Sequence, residues 1–361
     1  MPKFNRKYLL AIQYGETRAT KQVTLDNGKQ EDRVYYIEGN NELIIRPFFT
    51  IKFTIDRGVY ASMNKMTLDI YNLGKTTREK IYYDAVLHAT VNKKIVLYAG
   101  YSDADFSRFN QSVINKNIRS SVNGLPLVFC GRFTRAYSYR RGSDFITHIE
   151  AFDLPQKNEI EISTEFKAGT NQDQIIDFLA EKLEVNKENI IIDKTFKFTL
   201  ARNKSFNKMT AWDAVNSLIN SVNSQIKEQQ GDNAALYRLY YDYPNLIILR
   251  DDKYLENGYT YISSETGLLS TPIREGAKIT FKTLFEPTFR CGGYVNLNSR
   301  TTQSGISGIL KVIGYKHQGT ISPVVSETLT TDFTCFLGID QLQAEKPKKW
   351  QQIIKCLAIL V

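Results

Sequence analysis

The sequence predicts a β-rich α+β protein in which two β stretches flank a small α/β insert. Period-two alternation of apolar and polar residues dominates the first and last parts of the chain. The aromatic residues are mostly Tyr (21) and Phe (20), which favour strands. Helical spacing of apolar residues is concentrated in the middle. The length of 361 residues suits two or three folding units and a core that needs no disulfide staples. With 42% hydrophobic and 24% charged residues, wholesale disorder is excluded.

The first β domain is assigned to residues 1–155. Phe53-Thr54-Ile55-Asp56 alternates, and so does Lys65-Met66-Thr67-Leu68-Asp69-Ile70-Tyr71, which puts Met66, Leu68 and Ile70 on one face. Asn72-Leu73-Gly74 breaks the run. Thr76 and Glu79 then stand at capping-box spacing before a short helix. Strands are predicted again at Ile95-Val96-Leu97-Tyr98-Ala99, at Leu127-Val128-Phe129-Cys130 and over 144–152, with a polar loop or arm over 110–123.

The α/β insert is assigned to residues 156–250. Thr170-Asn171-Gln172-Asp173 caps a helix with Ile176, Leu179 and Leu183 at helical spacing. Phe196, Phe198 and Leu200 alternate as a strand. Thr210 caps a longer helix, in which Trp212, Val215, Ile219, Val222 and Ile226 form an apolar stripe. Two strands follow, over 236–241 and 246–250.

The second β domain is assigned to residues 251–340, with strands at Lys278-Ile279-Thr280-Phe281-Lys282, Tyr294-Val295-Asn296-Leu297, 308–313 and 332–336, and a Gly turn near His317. Residues 341–361 read as a separate C-terminal tail. There a Lys-rich linker (Lys346, Lys348, Lys349) precedes Trp350, Ile353, Ile354 and Leu357, which share a helix face. An apolar face that follows the last β stretch calls for a docking groove, on a partner or a neighbouring subunit; packing on the chain's own β domain is the alternative.

The chemistry of catalysis is missing from the pattern. Cys130, Cys291, Cys335 and Cys356 form no CxxC pair and sit beside apolar residues, so they are expected to be reduced and buried. His88, His148 and His317 are isolated, with no metal-ligand spacing, and a structural role is expected for each. There is no GxSxG elbow, phosphate-binding glycine loop or dinucleotide fingerprint. No catalytic, cofactor-binding or metal-binding residue is assigned, and no cofactor is expected. The apolar run after the basic start is only Tyr8-Leu9-Leu10-Ala11-Ile12, and no window reaches the roughly 20 apolar residues of a membrane span.

The net charge is +9. Its densest cluster is Arg132, Arg135, Arg140 and Arg141, interleaved with Phe133, Tyr137 and Tyr139. Such a mixture can hold phosphates and stack on bases. The preferred reading is a solvated hairpin turning at Tyr139-Arg140-Arg141-Gly142-Ser143.

Several segments resemble baseplate hub proteins of contractile-tailed phages. They are Met66-Thr67-Leu68-Asp69-Ile70-Tyr71-Asn72-Leu73 followed by Thr77-Arg78-Glu79-Lys80-Ile81; Val96-Leu97-Tyr98-Ala99-Gly100-Tyr101; Val128-Phe129-Cys130-Gly131; and Arg141-Gly142-Ser143-Asp144-Phe145-Ile146-Thr147. Further along come the stretch 260–272, Leu284-Phe285-Glu286-Pro287, Gly292-Gly293-Tyr294-Val295, and Lys311-Val312 ahead of His317-Gln318-Gly319. The family pattern has a Gly-Asp pair after the histidine, where this chain has Gln318-Gly319. The resemblance covers residues 50–320 discontinuously and does not reach the tail.

The resemblance implies two tail-tube-like antiparallel β-barrels with the α/β insert between them. It implies a structural virion protein, not an enzyme, that caps the tail tube and adapts it to the central spike. A homotrimer would present six barrels to a sixfold tube, around a lumen for DNA in transit. The implied partners are the tail tube protein, the central spike protein, a tape measure protein and the chain's own copies. Assembly would occur in the host cytoplasm. The alternatives are a tail-associated cell-wall hydrolase and a nucleic-acid-binding β protein.

Overall fold

The computed structural model describes residues 5–24, 30–60, 64–84, 93–109, 111–114, 118–153, 161–231, 234–255, 259–299, 306–324 and 328–337, with backbone alone over 15–24 and 30–40 and at Asp84 and Tyr259. The chain opens on a long hairpin, β1 (Arg6–Thr24) and β2 (Gln30–Ile45), which sequence periodicity does not reveal. Strand β1 pairs with β6 (Lys94–Tyr101) only through residue 12; beyond that the hairpin pairs with itself. Strands β3 (Ile51–Gly58) and β4 (Asn64–Tyr71) follow, and every second residue of each is buried, as their alternation predicts.

The short helix α1 (Lys75–Ile81) departs from its expected cap. Its N-cap is Gly74, with no side-chain hydrogen bond, and Thr76 lies inside the helix. What holds α1 is Ile81, fully buried in the adjacent core. After β5 (Tyr83–Asp84), β6 and β7 (Ser121–Val122), the first lobe ends on a hairpin of β8 (Leu125–Arg141) and β9 (Asp144–Asp153).

The insert contains β10 (Glu161–Phe166), α2 (Gln172–Lys182), β11 (Ile190–Ile192), β12 (Lys204–Thr210), α3 (Ala211–Gln230), β13 (Tyr237–Asp242) and β14 (Asn245–Arg250). Strands β10 and β12 pair antiparallel; β14 lies between β11, parallel to it, and β13, antiparallel. Asn171 caps α2, accepting from the Gln174 N–H at 3.0 Å. Thr210 caps α3 as expected, with its hydroxyl accepting from the Asp213 N–H at 3.1 Å. Gly231 closes α3 with φ at 83°, a conformation that favours glycine.

The α3 stripe is wider than the sequence spacing suggested. Val215 and Ile219 are buried, together with Ala211, Ala214 and Leu218, while Trp212, Val222 and Ile226 flank them half-buried. The strand expected at Phe196, Phe198 and Leu200 does not form. Phe196 instead anchors an irregular crossing, buried edge-on against Tyr237 at 4.9 Å between ring centroids, and only Thr199 makes a bridge, to Asn171.

The second lobe holds β15 (Tyr259–Ile262), β16 (Ile273–Glu275), β17 (Lys278–Leu284), β18 (Tyr294–Leu297), β19 (Gly308–Ile321) and β20 (Leu329–Phe336). The main sheet runs β16-β17-β20-β19-β3-β4-β9-β8-β6-β1-β2, with β5 and β7 on β8, and with β18 on β19 carrying β15. Two separate barrels were expected. Among the described residues one continuous sheet appears, open at both ends, because residues 314–321 of β19 pair antiparallel with β3. The Gly turn expected near His317 is absent as well: β19 continues through His317 and Gly319.

Each lobe nevertheless wraps a core of its own. The first gathers Tyr8, Leu10, Phe53, Ile55, Leu68, Leu97 and Phe129; the second gathers Phe281, Phe289, Val295, Leu310, Tyr315 and Phe333. Phe285, Ile321 and Leu329 cross from the second lobe into the first core. Cys130, Cys291 and Cys335 are free and buried, as expected, and burial pushes their thiols up. Cys356 lies outside the described residues.

Candidate functional site

Three parts of the chain meet at one buried charge cluster. Along β3 the inward positions are Ile51, Phe53, Ile55 and Arg57, so the strand's own phase drives a guanidinium into the interior. Strand β9 does the same with Ile149, Ala151 and Asp153. Asp242, at the end of β13, comes from the insert. Arg57 pairs with Asp242 and lies 3.4 Å from Asp153, and it donates to the Val128 carbonyl at 3.0 Å. Arg290 of the second lobe reaches Asp242 at 3.8 Å. Asn64 donates to the Tyr241 carbonyl at 2.8 Å. A cavity of about 190 Å³ opens beside the cluster, bordered by Arg57, Asp242, Arg290 and Tyr315.

Neighbouring contacts tie the insert to the second lobe. Lys311 Nζ donates to the carbonyls of Arg250 and Asp251 at 2.9 and 3.1 Å. Gly292, at φ 82°, lies where a Cβ would meet the Tyr240 hydroxyl at 2.0 Å, so no larger residue fits that approach.

The cluster has a definite pH response. Burial pushes the Asp153 carboxyl up to about 7, against the pull of Arg57 and with help from Asp242. One guanidinium serves both carboxyl groups, and burial outweighs its pull on Asp153. His317, bonded to Thr331 at 2.8 Å, is pushed down to about 3 by burial and then by Arg57. The folded state holds the Asp153 proton that the unfolded chain loses above about 4, so stability falls as pH rises from about 4 to 7. The unfolded chain protonates His317 below about 6.5 and the folded state does not, so stability falls as pH drops from about 6.5 to 3. Each slope is about 1.4 kcal/mol per pH unit, and between about pH 4 and 6.5 they cancel. Asp153→Asn should therefore uncover an acid lability of about 1.4 kcal/mol per unit in that window. Urea unfolding at pH 4, 5 and 6 reads it; a variant as flat as the parent chain would contradict the assignment.

The basic hairpin is placed as preferred. Strand β8 carries Arg132 and Arg135, and Arg140 and Arg141 are exposed beside the turn at Gly142 and Ser143. Two of its cations lie on aromatic rings, Arg135 over Tyr137 at 4.7 Å and Arg140 over Phe145 at 5.9 Å, and Arg78 of α1 lies over the same Phe145 at 4.2 Å. His148, half-buried, bonds Asp69 at 2.6 Å. Among the described residues no group of three or more His, Cys, Asp or Glu is arranged to hold a metal. His88 and the tail residues Trp350, Ile353, Ile354 and Leu357 lie outside the described residues.

The family model for baseplate hub gp41 matches residues 23–304, most of the chain. The chain belongs to the baseplate hub gp41 family. It is thus a phage tail baseplate protein of a structural family, as the segment resemblance implied. No curated protein sequence matches the hub chain. Among solved structures it is similar to the 43 kDa tail protein of prophage MuSo2 from Shewanella oneidensis, with 10% identity, 93% of this chain and 99% of that one covered, and a TM-score of 0.51. That likeness is one of fold. A tail protein from Neisseria meningitidis MC58 matches at 10% identity, 91% and 96% coverage and TM-score 0.48. The c3393 protein of E. coli, a type VI secretion component, matches at 9%, 80% and 74%, and 0.47.

Proposed function

We propose that this hub protein caps the tail tube and adapts it to the central spike, as a homotrimeric ring whose lumen passes DNA. The supporting observation is the pair of β lobes, each around its own core but joined in one sheet. Three chains would present six such lobes, the number a sixfold tube requires, and each lobe would serve as a barrel-like position of the ring. The division into residues 1–155, 156–250 and 251–340 follows the same logic, with the charge cluster where the three units meet. Tube, spike and tape measure proteins are the proposed partners, assembled with the hub in the host cytoplasm. Protein–protein contact, not catalysis, is the proposed work. The arginines of 132–141 are assigned outward or toward a partner, because a wall that grips phosphates would hinder passing DNA.

Light scattering of the purified chain, alone and with tube or spike protein, is expected to give about three times 41.4 kDa, and electron microscopy a ring with a central hole. A chain that remains a monomer in complex with those partners would overturn the proposal.

The tail with Trp350, Ile353, Ile354 and Leu357 is proposed as a docking element of that ring. Removing residues 341–361 is expected to leave the thermal melt unchanged and to weaken the trimer. A truncated chain that assembles with full affinity would exclude that role.

A further inference from the structure

A groove of about 580 Å³ crosses the second lobe beside β15. Its apolar lining includes Tyr261, Leu268, Leu269 and Phe289, and Leu269 and Tyr261 are 51% and 41% exposed. The charged residues of the lining, Glu265 and Glu286, are both acidic. Strand β15 pairs only with β18 among the described residues, and its Tyr261 carbonyl accepts from the Thr266 hydroxyl at 3.1 Å. An apolar trough with acidic flanks fits a segment that is apolar and preceded by cations.

The chain contains such a segment. Lys346, Lys348 and Lys349 precede Trp350, Ile353, Ile354 and Leu357. The last described residue, Leu337, is buried, and its N–H bonds the Ala277 carbonyl at 2.9 Å, next to the start of β17. The groove lies at the other end of β17, where Leu269 bonds the Lys282 carbonyl and Leu284 bonds Gly267. Along a strand that is about 20 Å. The connector from 338 to 349 spans up to about 40 Å when extended. The connector therefore covers the distance to its own groove with surplus, and reaches a neighbouring chain's groove that lies within about 40 Å.

We propose that residues 350–357 of one chain seat in this groove of a neighbouring chain in the hub ring. The inference rests on the trimer reading above and names where the tail docks. The native Cys356 supplies the probe, since the described thiols are buried. Leu269→Cys in the full chain, treated with a short thiol cross-linker, is expected to give covalent dimers and trimers. Their yield should exceed that of Val324→Cys, at a position 87% exposed outside the groove lining, by about tenfold, as docking raises the local concentration of Cys356. Adding Cys356→Ser should abolish them. A trimer by light scattering that gives no cross-link, only intrachain cross-link, or a yield equal to Val324→Cys overturns the docking site and leaves the trimer standing. A monomer by light scattering overturns both.

Discussion

Arg57→Ala is expected to lower the stability of the folded chain by about 3–5 kcal/mol, because it removes the buried guanidinium that Asp153 and Asp242 share and leaves Asp242 only the longer contact to Arg290 at 3.8 Å. Asp153 and Asp242 are 1% and 5% exposed, so little water solvates them in the folded chain. The substitution also strips the Val128 carbonyl of its Arg57 donor. Because the cluster joins the first lobe, the insert and the second lobe, the loss should appear as a lower denaturation midpoint for all three. Replacing the trio together, Arg57→Met with Asp153→Asn and Asp242→Asn, should recover much of the loss, since a buried ion pair contributes little beyond an apolar filling. Urea unfolding of the single and triple variants is the measurement. A single variant within about 1 kcal/mol of the parent chain would mean that the cluster is not a junction.

Ile219→Asp is the second large effect. Ile219 is 3% exposed on α3 and packs in the core of the insert with Leu179, Leu218 and Ile248. The variant loses the burial of a branched side chain, about 2–5 kcal/mol, and places a carboxylate where no partner waits. That exceeds the margin of a small folding unit. The expected outcome is an insert that melts at a lower temperature than the two lobes, giving two calorimetric transitions. A single transition at the parent temperature would place the α3 stripe in solvent. The exposed neighbour Asn220 makes the control, because Asn220→Asp adds the same charge on the wet face of the helix.

What the sequence displayed was local. Period-two runs located β3, β4, β9 and β17, since each buries alternate residues against one core. A capped stripe located α3, whose buried face obeys the same spacing. The arm of β1 and β2 escaped, because beyond residue 12 it pairs only with itself among the described residues, and Thr17-Arg18-Ala19-Thr20-Lys21-Gln22 carries no apolar alternation. Pairing partners escaped too. Strands β3 and β19 are more than 250 positions apart in the chain, and period two says which face is buried but not which neighbour covers the edge. The charge cluster did leave a signal. Arg57 and Asp153 both fall in phase with the apolar residues of their strands, at positions where a charge must find a buried partner. A search for charges in the apolar phase would have singled them out, although Asp242 carries no such mark.

The ladder between β3 and β19 decides how force passes through such a hub. Residues 51–58 and 314–321 pair antiparallel, rung after rung, and they are the sheet's direct link between the lobes. A push on one lobe along the strand axis loads all these rungs at once, in shear, so none yields before the others. A sideways pull would open them singly from an end. A baseplate hub under thrust would therefore be stiff along β19 and weak across it. Single-molecule pulling with handles placed along or across that strand should show the two rupture forces far apart.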